Sequence, residues 1–260
     1  DPRFDARKFY LPRLYKQLPE EQHGFVKIPA GTIWMGSKEN DEEAYSDERP
    51  QHEVNIPYDY WIARYPVTVA QFRAFVEESG HEIGDRRSIN ESPNSPVRYV
   101  NWHEARAYGK WLEDKLDFLP KGYQVRLPTE AEWEKAARGG DARRYPWGNA
   151  DWHEDLANID DSKIGHPTPV GMYPRGATSS GVCDLSGNLF EWIQSSWKDY
   201  PYDAEDGREE LDAKGVSRVL RGGSWYSYNR GARCAYRFDD FPGSRYYYIG
   251  FRIVVSLVFR

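Results

Sequence analysis

Cysteine and methionine are scarce in this chain: 260 residues hold two of each. Two cysteines, Cys183 and Cys234, cannot build a disulfide framework, and their scarcity fits a cytosolic setting. No long apolar run and no leader pattern occur, so neither a transmembrane span nor a signal peptide is expected. Dense Lys/Arg stretches are missing and the formal net charge is −6, which argues against nucleic acid as a partner. Signatures of metal and nucleophile chemistry are missing too. The six histidines show no H-E-x-x-H spacing, and there is no G-x-S-x-G elbow, Walker loop or Rossmann glycine pattern. His103 reads as a surface residue at a helix start. Gly222-Gly223-Ser224 before Trp225 reads as tight backbone packing rather than a nucleophile. The acidic stretch 39–48 lacks an EF-hand spacing and reads as a solvated loop. No Glu-Pro-Asn-like string supports sugar binding of the lectin kind.

What is abundant is aromatic. Tyr and Trp number 19 and 10, and because both need hydrogen-bond partners when buried, many should be half-buried or surface-facing. At 39% hydrophobic, the chain can bury a core, which excludes wholesale disorder.

Residues 1–23, punctuated by Pro2, Pro12 and Pro19, read as a linker or docking segment, with a further N-terminal domain, leader or partner conceivable before Asp1. Residues 24–260 read as one domain. Residues 25–35 read as strand, turn at Pro29-Ala-Gly31, strand; 53–62 as another strand; 218–220 and 249–258 as later ones. Capping boxes start three helices: Thr68 with Gln71, Asn101 with Glu104, and Thr129 with Glu132. Val69, Phe72, Phe75 and Val76 should line one face of the first; Ala105, Tyr108, Trp111 and Leu112 that of the second; Trp133, Ala136 and Ala137 that of the third. Gly80 and Gly139 are their stops. Residues 140–187 should be irregular, and 185–197 could form a short helix. Early helices followed by a loop-rich, strand-bearing half make the fold α+β, with small antiparallel sheets and extensive loops. Long loops of this kind are often functional.

The stretch from Asp184 to Trp192 admits two readings. Asp184 and Glu191 carboxylates with carbonyls at Gly187 and Leu189 offer calcium the hard oxygen ligands it takes. Spacing alone favours an Asn/Gly turn leading to a buried Trp192, with Glu191 paired to an arginine.

Several long motifs stand in order: Phe25-x-x-Ile-Pro-Ala-Gly-x-x-x-Met-Gly36, Pro50-x-His-x-Val54, Pro66-Val-Thr68, Pro96-Val-x-x-Val-x-Trp102, and Arg126-Leu-Pro-Thr-Glu-Ala-Glu-Trp-Glu-Lys-Ala-Ala-Arg-Gly-Gly140. After them come Tyr145-Pro-Trp-Gly148, Gly187-Asn-x-x-Glu-Trp192, Arg221-Gly-Gly-Ser-Trp225 and Gly250-Phe-Arg252. Together they resemble the formylglycine-generating-enzyme (sulfatase-modifying factor) domain family, across roughly residues 24–256. The resemblance implies a C-type-lectin-like fold. It also implies that oxidase members bind copper through a cysteine pair just after the Gly-Gly-Ser-Trp string, where this chain has Tyr226, Ser227 and Tyr228. Sulfoxide-synthase relatives take iron ligands from a separate helical domain. Copper(I) needs a soft thiolate pair, so with Cys234 standing alone the expectation is a protein that is not an enzyme and requires no cofactor. The resemblance does raise a structural calcium at Asp184, Gly187, Leu189 and Glu191, with Asp184 in place of an Asn. A second calcium segment of the family, near Ala157-Asn158-Ile159, is shortened here and is not carried over.

The tail fits a different branch of that fold. Residues 225–251 use Tyr, Ser, Asp and Phe in short clusters, the vocabulary of antibody-type contact loops. The tract resembles the variable proteins of diversity-generating retroelements, in which adenine-directed mutagenesis of Asn codons reaches Tyr, Ser, Asp, Phe, Gly and Cys but not Glu, Lys, Gln, Met or Trp. Residues 226–248 contain none of those five. The expected ligand-binding residues are Tyr226, Ser227, Tyr228, Phe238, Asp239, Asp240, Phe241, Ser244, Tyr246, Tyr247 and Tyr248. Their ligand would be a protein or other macromolecule. Three consecutive tyrosines cannot all face one core. The frame, Arg221 to Trp225 and Ile249 to Arg252, should be buried. Arg233, Arg237 and Arg245 should brace the loops or pair with Asp239 and Asp240.

Overall fold

The computed structural model describes residues 24–116, 119 and 121–257; the expected N-terminal segment 1–23 lies outside them. The architecture is α+β. Strands β1 (Phe25–Ile28), β4 (Tyr60–Ala63), β10 (Val254–Leu257) and β5 (Tyr123–Arg126) form one antiparallel sheet in that order. Strands β2 (Gly31–Met35) and β3 (His52–Ile56) pair as a ribbon. The third sheet runs β8 (Arg237–Asp240), β7 (Arg218–Arg221), β6 (Phe190–Ser196), β9 (Ile249–Gly250). Its β6–β9 junction is parallel and the others are antiparallel.

The three helices start where the capping boxes place them. Thr68 caps α1 (Val69–Ser79), Asn101 caps α2 (Trp102–Glu113) and Thr129 caps α3 (Glu130–Arg138), each with its reciprocal side-chain bond. Each such cap satisfies amide groups that would otherwise be orphaned and contributes about 1 kcal/mol. Gly80 closes α1 at φ +68, the left-handed region glycine enters without steric cost. Val76 and Trp111, expected on the inner faces, are half-buried.

Helix α3 departs from a two-faced surface helix. All nine of its residues are buried, three glutamates, a lysine and an arginine among them. Those charges persist inside because each has a partner. Glu132 takes a fork from Arg126 at 2.7 and 2.8 Å, Glu134 takes Arg138 and Arg221, and the Lys135 ammonium donates to the Gly31 carbonyl. One apolar cluster packs Trp133, Ala136 and Ala137 on Ile33, Met35, Ile62 and Ile193. A second packs Phe72, Phe75, Trp102 and Tyr108 on Trp192, Leu220 and Phe251.

Four sequence expectations are corrected. Residues 53–62 are two strands in different sheets, because Pro57, which has no amide to donate, interrupts the ladder between them. Residues 185–197 form no helix: Gly187 and Asn188 sit at φ +73 and +63, and the chain leaves them as the fully buried strand β6. Residues 249–258 divide into β9 and β10 around Arg252, which turns inward, and residue 258 lies outside the described set. The acidic stretch 39–48 is not wholly solvated, since Glu48 is fully buried. Residues 140–187 are irregular as expected, with short 3-10 turns only.

Candidate functional site

The C-terminal tract is fastened to the core by inward-turned arginines. Arg221 reaches Glu130 and Glu134. Arg233 forks onto Glu48 at 2.8 and 2.6 Å. Arg237 forks onto Glu130 at 2.6 and 3.0 Å. Arg245 meets Glu104 at 3.1 and 3.0 Å. Burial leaves the Arg221, Arg233 and Arg237 pairs intolerant of losing one partner, at about 3–5 kcal/mol. The expected pairing of Arg233, Arg237 and Arg245 with Asp239 and Asp240 is therefore corrected: their partners are glutamates of distant segments. Gly222 and Gly223 turn the chain after β7 at φ +90 and +70. A side chain at Gly223 would overlap the Gly231 carbonyl, so glycine is what lets the 3-10 turn Asn229–Ala232 close against the frame.

Over this frame lies a series of aromatic rings. Tyr226 meets Trp225 at 5.6 Å, Trp225 meets Tyr247 at 5.7 Å, and Tyr247 meets Tyr248 edge-on at 5.0 Å. Tyr246 stacks on Tyr248 at 5.2 Å, nearly parallel. Tyr248 contacts Phe190, which contacts Phe238 at 5.6 Å and Tyr236 at 6.2 Å. Tyr228, Phe241 and Tyr226 are the most exposed rings of the tract, at 72%, 65% and 61%, and Phe238, Tyr246 and Tyr247 are also exposed. Burial raises the Tyr248 hydroxyl above its ordinary range, with Tyr246 and Asp240 adding to the shift.

The polar residues of the expected site divide by role. Ser227 accepts from the Ser224 amide at 2.9 Å and its own carbonyl takes the Asp160 amide, so it serves the frame. Ser244 donates to Asp240 Oδ1 at 2.6 Å, and the Phe241 amide donates to the same oxygen. Asp239 and Asp240 are half-buried on β8, the outer strand of its sheet. Trp225, expected to be buried, is half-buried, and its indole nitrogen is enclosed without a hydrogen-bond acceptor. Arg221 to Ser224 and Ile249 to Arg252 are buried.

Sequence reasoning missed four contributors. Phe190 on β6 and Tyr236 connect the rings of separate loops. Tyr45 extends the series at 5.5 Å from Tyr236, with the Arg230 guanidinium 3.7 Å over its ring; an aromatic inside an acidic run was the available signal. Tyr99 adopts φ +60, a strained setting for a bulky residue. It gives its amide to the Tyr246 carbonyl and lies under Arg87 at 4.0 Å. No sequence signal marks it.

The calcium ligand set is engaged otherwise. Arg252 forks onto both Glu191 oxygens at 2.6 Å, and the Trp133 indole donates to one of them at 2.7 Å. Asp184 accepts from the Gly171 amide, and burial pushes its carboxyl up to about 6. Gly187 packs against the Asn158 carbonyl, and Leu189 is buried. A guanidinium seated on Glu191 does not fit a calcium cage. No group of three or more His, Cys, Asp and Glu is poised for a metal among the described residues. A copper thiolate pair does not fit either: both cysteines are free and buried, and burial pushes Cys183 up to about 11 and Cys234 up to about 12. Among the described residues no helix is long and apolar enough to cross a membrane.

Comparison with known proteins places these features. The chain is 32% identical over 251 residues to a hercynine oxygenase of Mycolicibacterium thermoresistibile, covering 81% of this chain and 53% of that one. It thus spans about half the length of that relative. It is 29% identical to the formylglycine-generating enzyme of Thermomonospora curvata, covering 96% and 98%. Among solved structures, PvdO from Pseudomonas aeruginosa superposes with a TM-score of 0.77 at 27% identity, over 90% of this chain and 94% of that one. Treponema denticola variable protein 1 superposes at 0.69 and 22%, over 89% and 94%. The fold is thereby the C-type-lectin-like one of the formylglycine-generating type. The expectation that the chain is not an enzyme is overturned: relatives at about 30% identity over most of its length are named enzymes. A family model, the sulfatase-modifying factor enzyme 1-like domain, matches residues 12–257, and the chain belongs to that family.

Proposed function

We propose that the C-terminal face is a binding surface for a protein or other macromolecular ligand, and that its exposed residues are diversified. One observation carries the reading: rings from three separate stretches, Trp225 and Tyr226, Tyr236 and Phe238, and 246–248, are linked to one another directly or through Phe190 over a frame held by buried arginine–glutamate forks, and Tyr228 and Phe241 stand exposed on the same tract. Large rigid rings supply contact area at low entropic cost, and central aromatic anchors dominate interface energetics. A frame fixed by residues beneath the face lets its side chains vary without moving the backbone. Tyr226, Tyr228, Phe238, Phe241, Tyr246 and Tyr247 are the contact residues in this reading, with Tyr248, Asp239 and Asp240 between them and Ser227 and Ser244 bracing the loops. The likeness in fold to a variable protein supports the reading. The gene's surroundings test it. A nearby repeat matching the codons of 226–248 and differing almost only at adenines is the expected result, and absence of both that repeat and a reverse transcriptase gene would count against diversification.

The enzyme-named relatives favour a second reading, in which the same face receives the substrate of an oxidation. The chain's own residues would then bind and orient that substrate, since its two thiols are buried. Incubation with a cysteine-bearing peptide and copper tests this reading: an aldehyde product by mass spectrometry supports it, and unchanged peptide with no metal uptake opposes it.

A further inference from the structure

The arginines and aspartates of the tract part company. Arg233, Arg237 and Arg245 all turn to glutamates beneath or beside the face, and Arg230 gives its N–H groups to the carbonyls of Glu43 and Ala44. Arg218 stands directly across the β7–β8 ladder from Asp240. Yet its guanidinium lies 4.1 Å over the Trp102 ring and donates to the carbonyls of Gln194, Glu210 and Leu211. No cation pairs with Asp239 or Asp240 among the described residues. Asp240 Oδ1 takes the Phe241 amide and the Ser244 hydroxyl, both neutral donors.

That carboxylate stands near the rings, close enough to Tyr248 to help raise its hydroxyl. Phe238 shares its side of β8, two residues away, and contacts Phe190, which contacts Tyr248; Tyr246 stacks on Tyr248. A carboxylate beside aromatic faces is the environment that favours a cation over a neutral group, because ring quadrupole and charge act in the same sense. An anionic ligand would meet Asp240 with no cation among the described residues to offset it.

We propose that the face takes a cationic side chain of a protein partner, an arginine or a lysine, between Asp240 and the rings of Phe238, Tyr246 and Tyr248. The inference rests on the reading of the face as a binding surface and names the chemistry of what it binds.

The test uses the full chain and two probes of matched shape: Nα-acetyl-arginine amide and its uncharged counterpart Nα-acetyl-citrulline amide. Binding is followed by NMR shifts of the tyrosine rings. The arginine amide should bind about fivefold tighter, the advantage a charge-assisted hydrogen bond holds over a neutral one. Asp240→Asn keeps the Oδ1 acceptor for Phe241 and Ser244 and should erase the preference. Ser244→Ala removes a neutral donor and should retain it, which separates loss of charge from loss of loop structure. Equal binding of both amides, or a preference that survives Asp240→Asn, overturns the inference and leaves the surface reading standing. Silence of the face toward both probes also overturns it; the surface reading is then judged independently, by whether a library varied at the face yields binders.

Discussion

Arg237 and Glu130 join the C-terminal face to the core through a buried fork, Nε to Oε1 at 2.6 Å and Nη2 to Oε2 at 3.0 Å. Glu130 is the first residue of α3 and Arg237 the first of β8, so one ion pair fixes the edge strand of the face on the most deeply buried helix. Arg237→Ala strips the fork from Glu130, leaving it only Arg221 and the Tyr200 hydroxyl, and should cost about 3–5 kcal/mol of stability. Phe241→Ala, at 65% exposed, should stay within about 0.5 kcal/mol. Urea denaturation of both variants checks the contrast, and equal losses would mean that the face is part of the core.

The turn under the face is equally particular. Gly223→Ala places a side chain at φ +70 against the Gly231 carbonyl. It should destabilise by at least about 1–2 kcal/mol, the cost of left-handed backbone for an L-residue. Thermal or urea unfolding measures it. A neutral outcome would show that the Asn229–Ala232 turn moves freely.

Much of this was legible in the sequence for physical reasons, and the rest was hidden for physical reasons. Capping residues report their helices because the cap is local: Thr68, Asn101 and Thr129 each serve an amide three residues on. The aromatic tract reported exposed rings because three consecutive tyrosines cannot share one core. Long-range pairing left no local trace. Nothing near Arg237 announces Glu130, so the sequence leaves the arginines either to brace the loops or to pair with Asp239 and Asp240, and it assigns Glu191 an arginine without pointing to Arg252. Strand β6 was hidden because complete burial removes the alternation by which a half-buried strand is recognised. Tyr99 was hidden because a strained φ is imposed by its surroundings. The missing cysteine pair is one motif, and in a family whose members differ in chemistry one motif does not decide catalysis.

Glu209 is a buried carboxyl to which the neutral groups of Ser195, Tyr202 and Gln194 donate. Burial raises its folded-state pKa above the ordinary 4.5. The stability it contributes is therefore full below that ordinary value and is lost as pH rises through the folded one. Glu209→Gln removes this titration. Its stability relative to the parent should improve as pH rises above the ordinary 4.5 in urea midpoints, and a flat or declining difference would refute the assignment.

Cys234 is fully buried and its thiol is pushed up to about 12 by burial. Thiolate is the nucleophile in alkylation, so Cys234 should resist iodoacetamide at pH 8 in the native protein and react at the rate of unfolding. Rapid native labelling, read by mass spectrometry, would place the thiol within reach of solvent and reopen the question of metal binding there.

The central claim is that a fixed frame presents a changeable binding face, and display of a varied library tests it most directly. Tyr226, Tyr228, Phe238, Phe241, Tyr246 and Tyr247 would be randomised together in the full chain, with Arg233, Arg237, Arg245 and the Arg221-Gly-Gly-Ser frame left intact. The displayed clones would be selected against a panel of unrelated folded proteins. The account predicts that most clones fold with the parent's unfolding midpoint and that the selection returns specific binders whose affinity is lost when the selected face residues revert to alanine. Clones that fail to fold, or a folded library that yields no binder to any target, would contradict it.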